Sequence, residues 1–86
     1  MKQLVTFKIH DGGQEYESFG IYDHKYSDKK IVKDFFSIDK MQEDHLYKKN
    51  YWWYSDKLVS VLDRVDIDDD KIKIMKDYRI AYEHSI

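Results

Sequence analysis

The chain has 86 residues, enough for one hydrophobic core, so residues 1–86 are predicted to form a single domain. Its 42% hydrophobic and 16% aromatic residues exclude a disordered chain, although 37% of the residues are charged. A formal net charge of −2 excludes the general attraction to phosphate backbones and anionic lipids that strongly basic proteins show.

The amino-acid usage also indicates a cellular compartment. The chain contains no cysteine, so disulfides and thiolate metal ligands are excluded, and a secreted protein of this size usually depends on disulfides. The sequence shows no apolar run long enough for a signal peptide or for a bilayer-spanning segment. We therefore expect a soluble, cytoplasmic protein without a membrane partner.

The first predicted element is a β-hairpin. Apolar and polar side chains alternate over residues 3–10, and residues 16–24 resume an extended pattern after a glycine-containing turn. A three-residue loop, Gly12-Gly13-Gln14, would place Phe7 opposite Phe19 on the buried face, so we predict that loop. The other face then carries polar and tyrosine side chains: Lys8, His10, Tyr16, Ser18, Tyr22 and His24.

A helix is predicted from Ser27 to about residue 38. Ser27 is a preferred N-cap residue, and Asp28 in the first turn suits the positive end of the helix dipole. The apolar side chains recur at helical spacing and are Ile31, Val32, Phe35, Phe36 and Ile38. Residues 39–49 are predicted to be a connector, in which Asp39 and Gln42 have the spacing of a capping box.

A second hairpin is predicted from two strand-forming runs, Tyr51-Trp52-Trp53-Tyr54 and Leu58-Val59-Ser60-Val61. A two-residue turn between them places Trp52 opposite Val59. Strict alternation then sends Tyr51 and Trp53 to the opposite face of the sheet.

Residues 68–79 fit two patterns. Ile72 and Ile74 alternate as in a strand, whereas Ile72, Met75 and either Tyr78 or Arg79 have helical spacing. We predict a helix, because Asp68 is a suitable N-cap residue and the acidic and basic side chains that follow suit the two ends of the helix dipole. The predicted fold is α+β with the order β-β-α-β-β-α: a four-stranded, mainly antiparallel sheet with both helices on one face.

Motifs for catalysis, cofactors and metals are absent from the sequence. The four histidines have no metal-binding spacing, and Asp66-x-Asp68-x-Asp70 resembles a calcium loop only until Lys71 replaces the required glycine. Helix capping explains these aspartates. The serines stand in strand, cap and turn contexts without a nucleophile motif, so we predict that the protein is not an enzyme and has no cofactor.

The aromatic hairpin is the most informative segment for function. Two helices on one face leave the other face of the sheet uncovered, and exposed Tyr and Trp side chains are enriched at binding hot spots. The candidate binding residues are Tyr16, Tyr22, Tyr51 and Trp53. Alternatively, Trp53 packs on Leu58 or Leu62 as an ordinary cross-strand partner, and alternation alone leaves open which of Trp52 and Trp53 is exposed.

Two function hypotheses follow from this face. The first is a protein-binding module that acts as a regulator, adaptor or inhibitor, a role that small proteins of phages and mobile elements often have; its partner is another protein or, in a homodimer, a second copy. The second is single-stranded nucleic-acid binding, in which the same aromatic side chains stack on bases. The negative net charge favours the first.

Overall fold

In a computed structural model that describes residues 1–43 and 50–86, five strands and two helices follow one another along the chain. The strands are β1 (Lys2–Asp11), β2 (Gln14–Asp23), β3 (Gln42–Glu43), β4 (Tyr51–Tyr54) and β5 (Lys57–Ile67), and the helices are α1 (Asp28–Phe35) and α2 (Asp69–Asp77). The strands form one sheet in the order β2-β1-β5-β4-β3, and every neighbouring pair is antiparallel.

The α+β class, the four predicted strands and the order β-β-α-β-β-α are confirmed. The two-residue strand β3 pairs with β4 and lengthens the sheet at its edge. It arises within the predicted connector over residues 39–49, of which residues 44–49 lie outside the described part of the chain.

The turn of the first hairpin has two residues, Gly12 and Gly13, and the predicted three-residue loop is wrong. Both glycines have positive φ angles, +56° and +87°, as a type I′ turn requires, and glycine adopts them without a steric penalty. Gln14 therefore belongs to β2, and Phe7 pairs with Ser18 instead of Phe19. The predicted register is wrong by one residue.

A shift of one residue exchanges the two faces of β2. Tyr22, predicted on the outer face, is fully buried among the residues that pack against α1. Ile21, predicted to share the face of Val5, points to the opposite side together with Leu4, its partner on β1.

The two helices lie on opposite faces of the sheet, so the prediction that they share one face is wrong. Helix α1 packs on the main core, which consists of Val5, Phe7, Ile9, Tyr22, Ile31, Val32, Ile38, Trp52 and Val59. Helix α2 packs through Ile72 and Met75 on a smaller cluster that includes Leu4, Phe19 and Ile21. Both faces of the sheet must be covered, because β1 and β2 carry apolar side chains at even-numbered and at odd-numbered positions, and these point to opposite faces.

Both helices begin at the predicted N-cap residues. The Ser27 hydroxyl accepts a hydrogen bond from the Lys30 amide at 3.2 Å, and the Asp68 carboxylate accepts one from the Lys71 amide at 2.9 Å. These bonds satisfy amides that lack a partner within the helix. The ambiguous residues 68–79 thus form a helix, which ends at Asp77.

A β-bulge in β5 changes the face of the sheet to which the side chains in the second half of the strand point. The pairing with β1 passes from Phe7↔Val61 to Thr6↔Asp63, so one extra residue, Leu62, lies between them. Beyond the bulge, Arg64 points to the side of α1. Its guanidinium donates to Asp28 at 2.8 Å and to the Gln3 side chain at 2.9 Å, which ties β5 and β1 to the start of α1.

Within the described residues, neither helix is long and apolar enough to cross a bilayer.

Substitution of Gly20 by alanine is expected to destabilise the fold. A Cβ atom at Gly20 would lie 3.0 Å from the Tyr22 ring and 3.1 Å from the Phe35 ring, closer than normal van der Waals contact. We expect Gly20→Ala to lower the free energy of unfolding by about 1–3 kcal/mol in urea titrations. Ser18→Ala, on the same face of β2, is the matched control; equal, small effects would contradict the close packing.

Candidate binding surface

Both hairpin turns lie at the same end of the sheet. On the face that carries α2, six side chains at this end form two rows across β1, β5 and β4. These six side chains, here called the turn-end surface, are His10, Leu58 and Trp53 in one row and Lys8, Ser60 and Tyr51 in the next. Helix α2 covers the other end of this face, around Leu4 and Ile21.

The second hairpin has the predicted register. Trp52 pairs with Val59 and is buried to 2% exposure under α1, whereas Trp53 pairs with Leu58 and remains 40% exposed. The exposed tryptophan is therefore Trp53, and Tyr51 points to the same face. The length of the turn explains this register, because two residues between the strands place Tyr54 opposite Lys57.

The exposed part of the turn-end surface lies at its rim. Leu58 and Ser60 in the middle are buried, at 2% and 4% exposure. Beside them, the Trp53 indole forms one wall of a shallow hollow of about 330 Å³. The other residues around the hollow are Lys40, Met41, Gln42, Tyr54 and Ser55. A partly exposed aromatic ring beside a buried apolar side chain, here Leu58, is the arrangement typical of an interface anchor.

Only two of the four predicted binding residues lie together. Tyr16 is 43% exposed, but it pairs with Ile9 and therefore lies on the face of α1, across the sheet from Trp53. Tyr22 is fully buried, so its predicted place on an exposed aromatic face is wrong. The physical reason for both differences is the two-residue turn, which exchanges the faces of β2.

Charged side chains border the turn-end surface on the side of β2. Glu15 lies 3.0 Å from the His10 ring and 3.5 Å from the Lys8 ammonium. These groups are partly exposed, so the pairs contribute little to stability, but they fix the orientation of the side chains. The surface thus combines an aromatic end with a charged end of mixed sign.

A second group of exposed apolar side chains is not anticipated by the sequence analysis. Ile74 of α2 and Tyr78, the residue directly after α2, are 51% and 75% exposed, and Leu62 and Val65 of β5 are about half exposed. Ile74 lies off the helical stripe of Ile72 and Met75, so the sequence offers a signal for its exposure. Tyr78 has the spacing of that stripe, but the helix ends before it, at Asp77.

A cluster of three side chains that carry polar groups lies at the end of β2, and it is not among the residues predicted from the sequence. The Tyr22 hydroxyl donates a hydrogen bond to Asp34 at 2.7 Å, and the His84 ring stacks on the Tyr22 ring with centroids 4.9 Å apart. Burial raises the pKa of the Tyr22 phenol, and the hydrogen bond to Asp34 raises it further. These residues are far apart in the sequence, so no local pattern indicates the cluster.

This cluster fastens a C-terminal segment to the outer edge of β2. The Ile21 amide donates to the Tyr82 carbonyl at 3.0 Å, and the His84 amide donates to the Ile21 carbonyl at 2.9 Å. The segment runs parallel to β2 at this point, where Ile21 is bridged to Glu83. The Tyr22 phenol therefore supports packing and holds its proton, and the cluster has the features of a structural contact.

The histidines of the described chain lie in different places. His10 lies against Glu15, His24 lies at the amino terminus beside Met1 and Asp23, and His84 lies on Tyr22. Among residues 1–43 and 50–86, no three His, Asp or Glu side chains come together as metal ligands.

Comparison of the chain with protein-family models, with curated proteins and with solved structures found no significant match.

The two neighbouring tryptophans are expected to differ sharply in their contribution to stability. Trp52→Ala removes a buried ring from the main core and should lower the free energy of unfolding by about 3–5 kcal/mol. Trp53→Ala removes a ring that is 40% exposed and should cost about 1 kcal/mol. Chemical denaturation of both variants measures the difference, and equal losses would show that Trp53 belongs to the core.

The raised pKa of Tyr22 predicts a loss of stability in alkali. The folded state favours the neutral phenol, so its stabilisation is complete below the pKa of an unfolded tyrosine, about 10, and declines as the pH rises beyond it. Tyr22→Phe cannot ionise. We expect this variant to be about 0.5–1.5 kcal/mol less stable at pH 8 and to depend less steeply on pH above about 10. If urea titrations showed that the free energy of unfolding of the two proteins changes equally with pH above about 10, this assignment would be contradicted.

Proposed function

We propose that the protein is a small, non-enzymatic protein-binding module that acts as a regulator, adaptor or inhibitor. Its docking site is the turn-end surface, with Trp53 as the anchor. The observation that supports this most is the 40% exposed Trp53 indole beside the buried Leu58, at the rim of a shallow hollow. Partly exposed tryptophans of this kind supply a large share of the binding free energy at protein interfaces.

The surroundings of Trp53 support a protein partner. Lys8, His10 and Glu15 give the charged end of the surface both signs of charge, as in the polar rim of ordinary protein interfaces. Lys40 borders the hollow on the other side. Such a surface needs neither a deep pocket nor a cofactor.

A catalytic role receives less support from the titratable groups. Among the described groups, the large pKa shift is that of Tyr22, which lies on the other face of the sheet and is fully buried. Its shift has a structural cause, namely burial and the bond to Asp34. A perturbed group in a cleft would favour an enzyme. Tyr22 does not line the hollow beside Trp53, and Tyr54, which does, has its pKa raised chiefly by burial, which is again a structural cause.

The nucleic-acid alternative is weakened by the arrangement of the aromatic side chains. A base-stacking platform needs several rings on one face of the sheet. Tyr51 and Trp53 share a face, whereas Tyr16 lies on the opposite face and Tyr22 is buried. The platform is therefore reduced to two rings, and the protein-binding proposal is preferred.

The proposal predicts that Trp53→Ala abolishes partner binding while the protein stays folded. Wild type, Trp53→Ala and Tyr78→Ala are immobilised and exposed to lysate, and retained proteins are identified by mass spectrometry. Tyr78, directly after the end of α2, is 75% exposed and serves as the matched control. A true partner is retained by wild type and by Tyr78→Ala, and its purified form loses at least about tenfold in affinity for Trp53→Ala in calorimetry.

Two results would contradict the proposal. The first is a purified partner that binds Trp53→Ala as tightly as wild type. The second is binding of labelled oligonucleotides at low salt with a dissociation constant below tens of micromolar and loss of that binding in Trp53→Ala, which would favour the nucleic-acid alternative.

A further inference from the structure

Strand β2 forms an outer edge of the sheet. It pairs with β1 on one side, and among residues 1–43 and 50–86 the order β2-β1-β5-β4-β3 places no further strand on its other side. The first four residues of β2, from Gln14 to Glu17, are all exposed. An edge of this kind presents backbone amides and carbonyls to which another strand can bind.

The hydrogen bonds between β2 and the C-terminal segment show which backbone groups of β2 point away from β1. Ile21 uses its amide and its carbonyl to bind Tyr82 and His84, so both groups of Ile21 point away from β1. In an antiparallel pair, alternate residues point the same way. Glu15, Glu17 and Phe19 therefore also direct their amides and carbonyls outward.

The free part of this edge lacks proline, lysine and a bulge, three of the features that protect edge strands, and its charged side chains are Glu15 and Glu17. The chain contains no proline, β2 contains no lysine, and its ten residues pair with β1 without a register shift. The C-terminal segment covers the edge at Ile21. The neighbouring stretch from Glu15 to Phe19 continues in the same line and offers three residues for pairing.

We propose that the β2 edge from Glu15 to Phe19 is a strand-addition site for an extended segment of another protein that carries lysine or arginine at alternate positions. The bound segment extends the sheet and lies in line with the C-terminal segment at Ile21. This interaction uses main-chain hydrogen bonds for affinity and alternate side chains for specificity.

The side chains of the edge determine the chemistry of the partner. Glu15 and Glu17 lie on the same face, and each is exposed. Lys8 and His10 approach Glu15, whereas Glu17 makes no ion pair in the described part of the chain. Basic side chains at alternate positions of an added strand would lie beside both carboxylates. The other face of the edge offers the exposed ring of Tyr16.

A second copy of this chain is a poor occupant of the edge. Two antiparallel β2 edges centred on Glu17 would place that carboxylate opposite itself. A shift toward the turn places Glu15 opposite Glu17 of the copy, and like charges directly opposite are destabilising. A shift the other way pairs Glu17 with Phe19 but places Glu15 opposite Ile21, whose outward groups already bind Tyr82 and His84.

The test uses a synthetic octapeptide of alternating lysine and valine as the probe. In ¹⁵N NMR spectra, the peptide should slow amide hydrogen exchange at Glu15, Glu17 and Phe19 by at least about tenfold, because these amides gain hydrogen bonds. The Ser18 amide points to β1 and should not change. A peptide with alternate N-methyl groups keeps its charge but loses donors, and a glutamate–valine peptide reverses the charge; both should bind at least about tenfold more weakly.

Variants of Glu17 separate the two contributions. Glu17→Pro removes an outward amide together with the carboxylate and leaves the bonds to β1 in place, so it should weaken peptide binding by at least about tenfold. Glu17→Lys keeps the backbone and should turn the preference toward the glutamate–valine peptide, which provides the test if the proline variant does not fold. Trp53→Ala should bind the peptide like wild type, so this result is independent of the turn-end surface.

Three outcomes would overturn the proposal. The first is unchanged exchange at Glu15, Glu17 and Phe19 with peptide at millimolar concentration. The second is equal binding of the N-methylated peptide, which would indicate charge attraction alone. The third is protection of these amides in the free protein together with a dimer in sedimentation, which would make a second copy the occupant.

Discussion

The two-residue turn at Gly12 and Gly13 is the constraint on which the arrangement of the domain depends. Because side chains alternate between faces, the number of residues in this turn decides which half of the β2 side chains faces α1. Two glycines with positive φ angles form this turn without strain and place Tyr22 in the main core. The same parity turns Ile21 toward α2 and directs the amides of alternate β2 residues to the free edge.

A sheet covered on both faces follows from this parity. The Phe7 ring stacks on the Phe35 ring of α1 at a centroid distance of 4.1 Å, and Tyr22 meets Phe7 edge-on. On the other face, α2 has nine residues and packs over Leu4 and Ile21, while β5 has eleven and extends to the turn end. The short helix thus leaves the turn-end surface beyond its reach, and this gives Trp53 its exposed position.

The two proposed surfaces use different physical interactions. The turn-end surface offers a side chain, the Trp53 indole, whose remaining exposed area can be removed from water by a partner. The β2 edge offers backbone groups, whose hydrogen bonds any extended segment can complete, and Glu15 and Glu17 select among such segments by charge. Because the surfaces differ in chemistry, one protein can use them independently.

The sequence by itself determined the α+β class, the order of the predicted elements and the helix caps at Ser27 and Asp68. It placed Trp52 and Trp53 on opposite faces, and the packing of α1 over Trp52 decided that Trp53 is the exposed one. The features that the sequence determined depend on local periodicity, capping or the length of a short turn. Only the tertiary structure decided that the helices lie on opposite faces, that Tyr22 is buried and that the C-terminal segment covers Ile21. The physical reason is that Phe19 and Tyr22, which point to opposite faces of β2, are both compatible with burial. The alternation of β2 therefore fits either register of the first hairpin, and only the packing of both helices selects one.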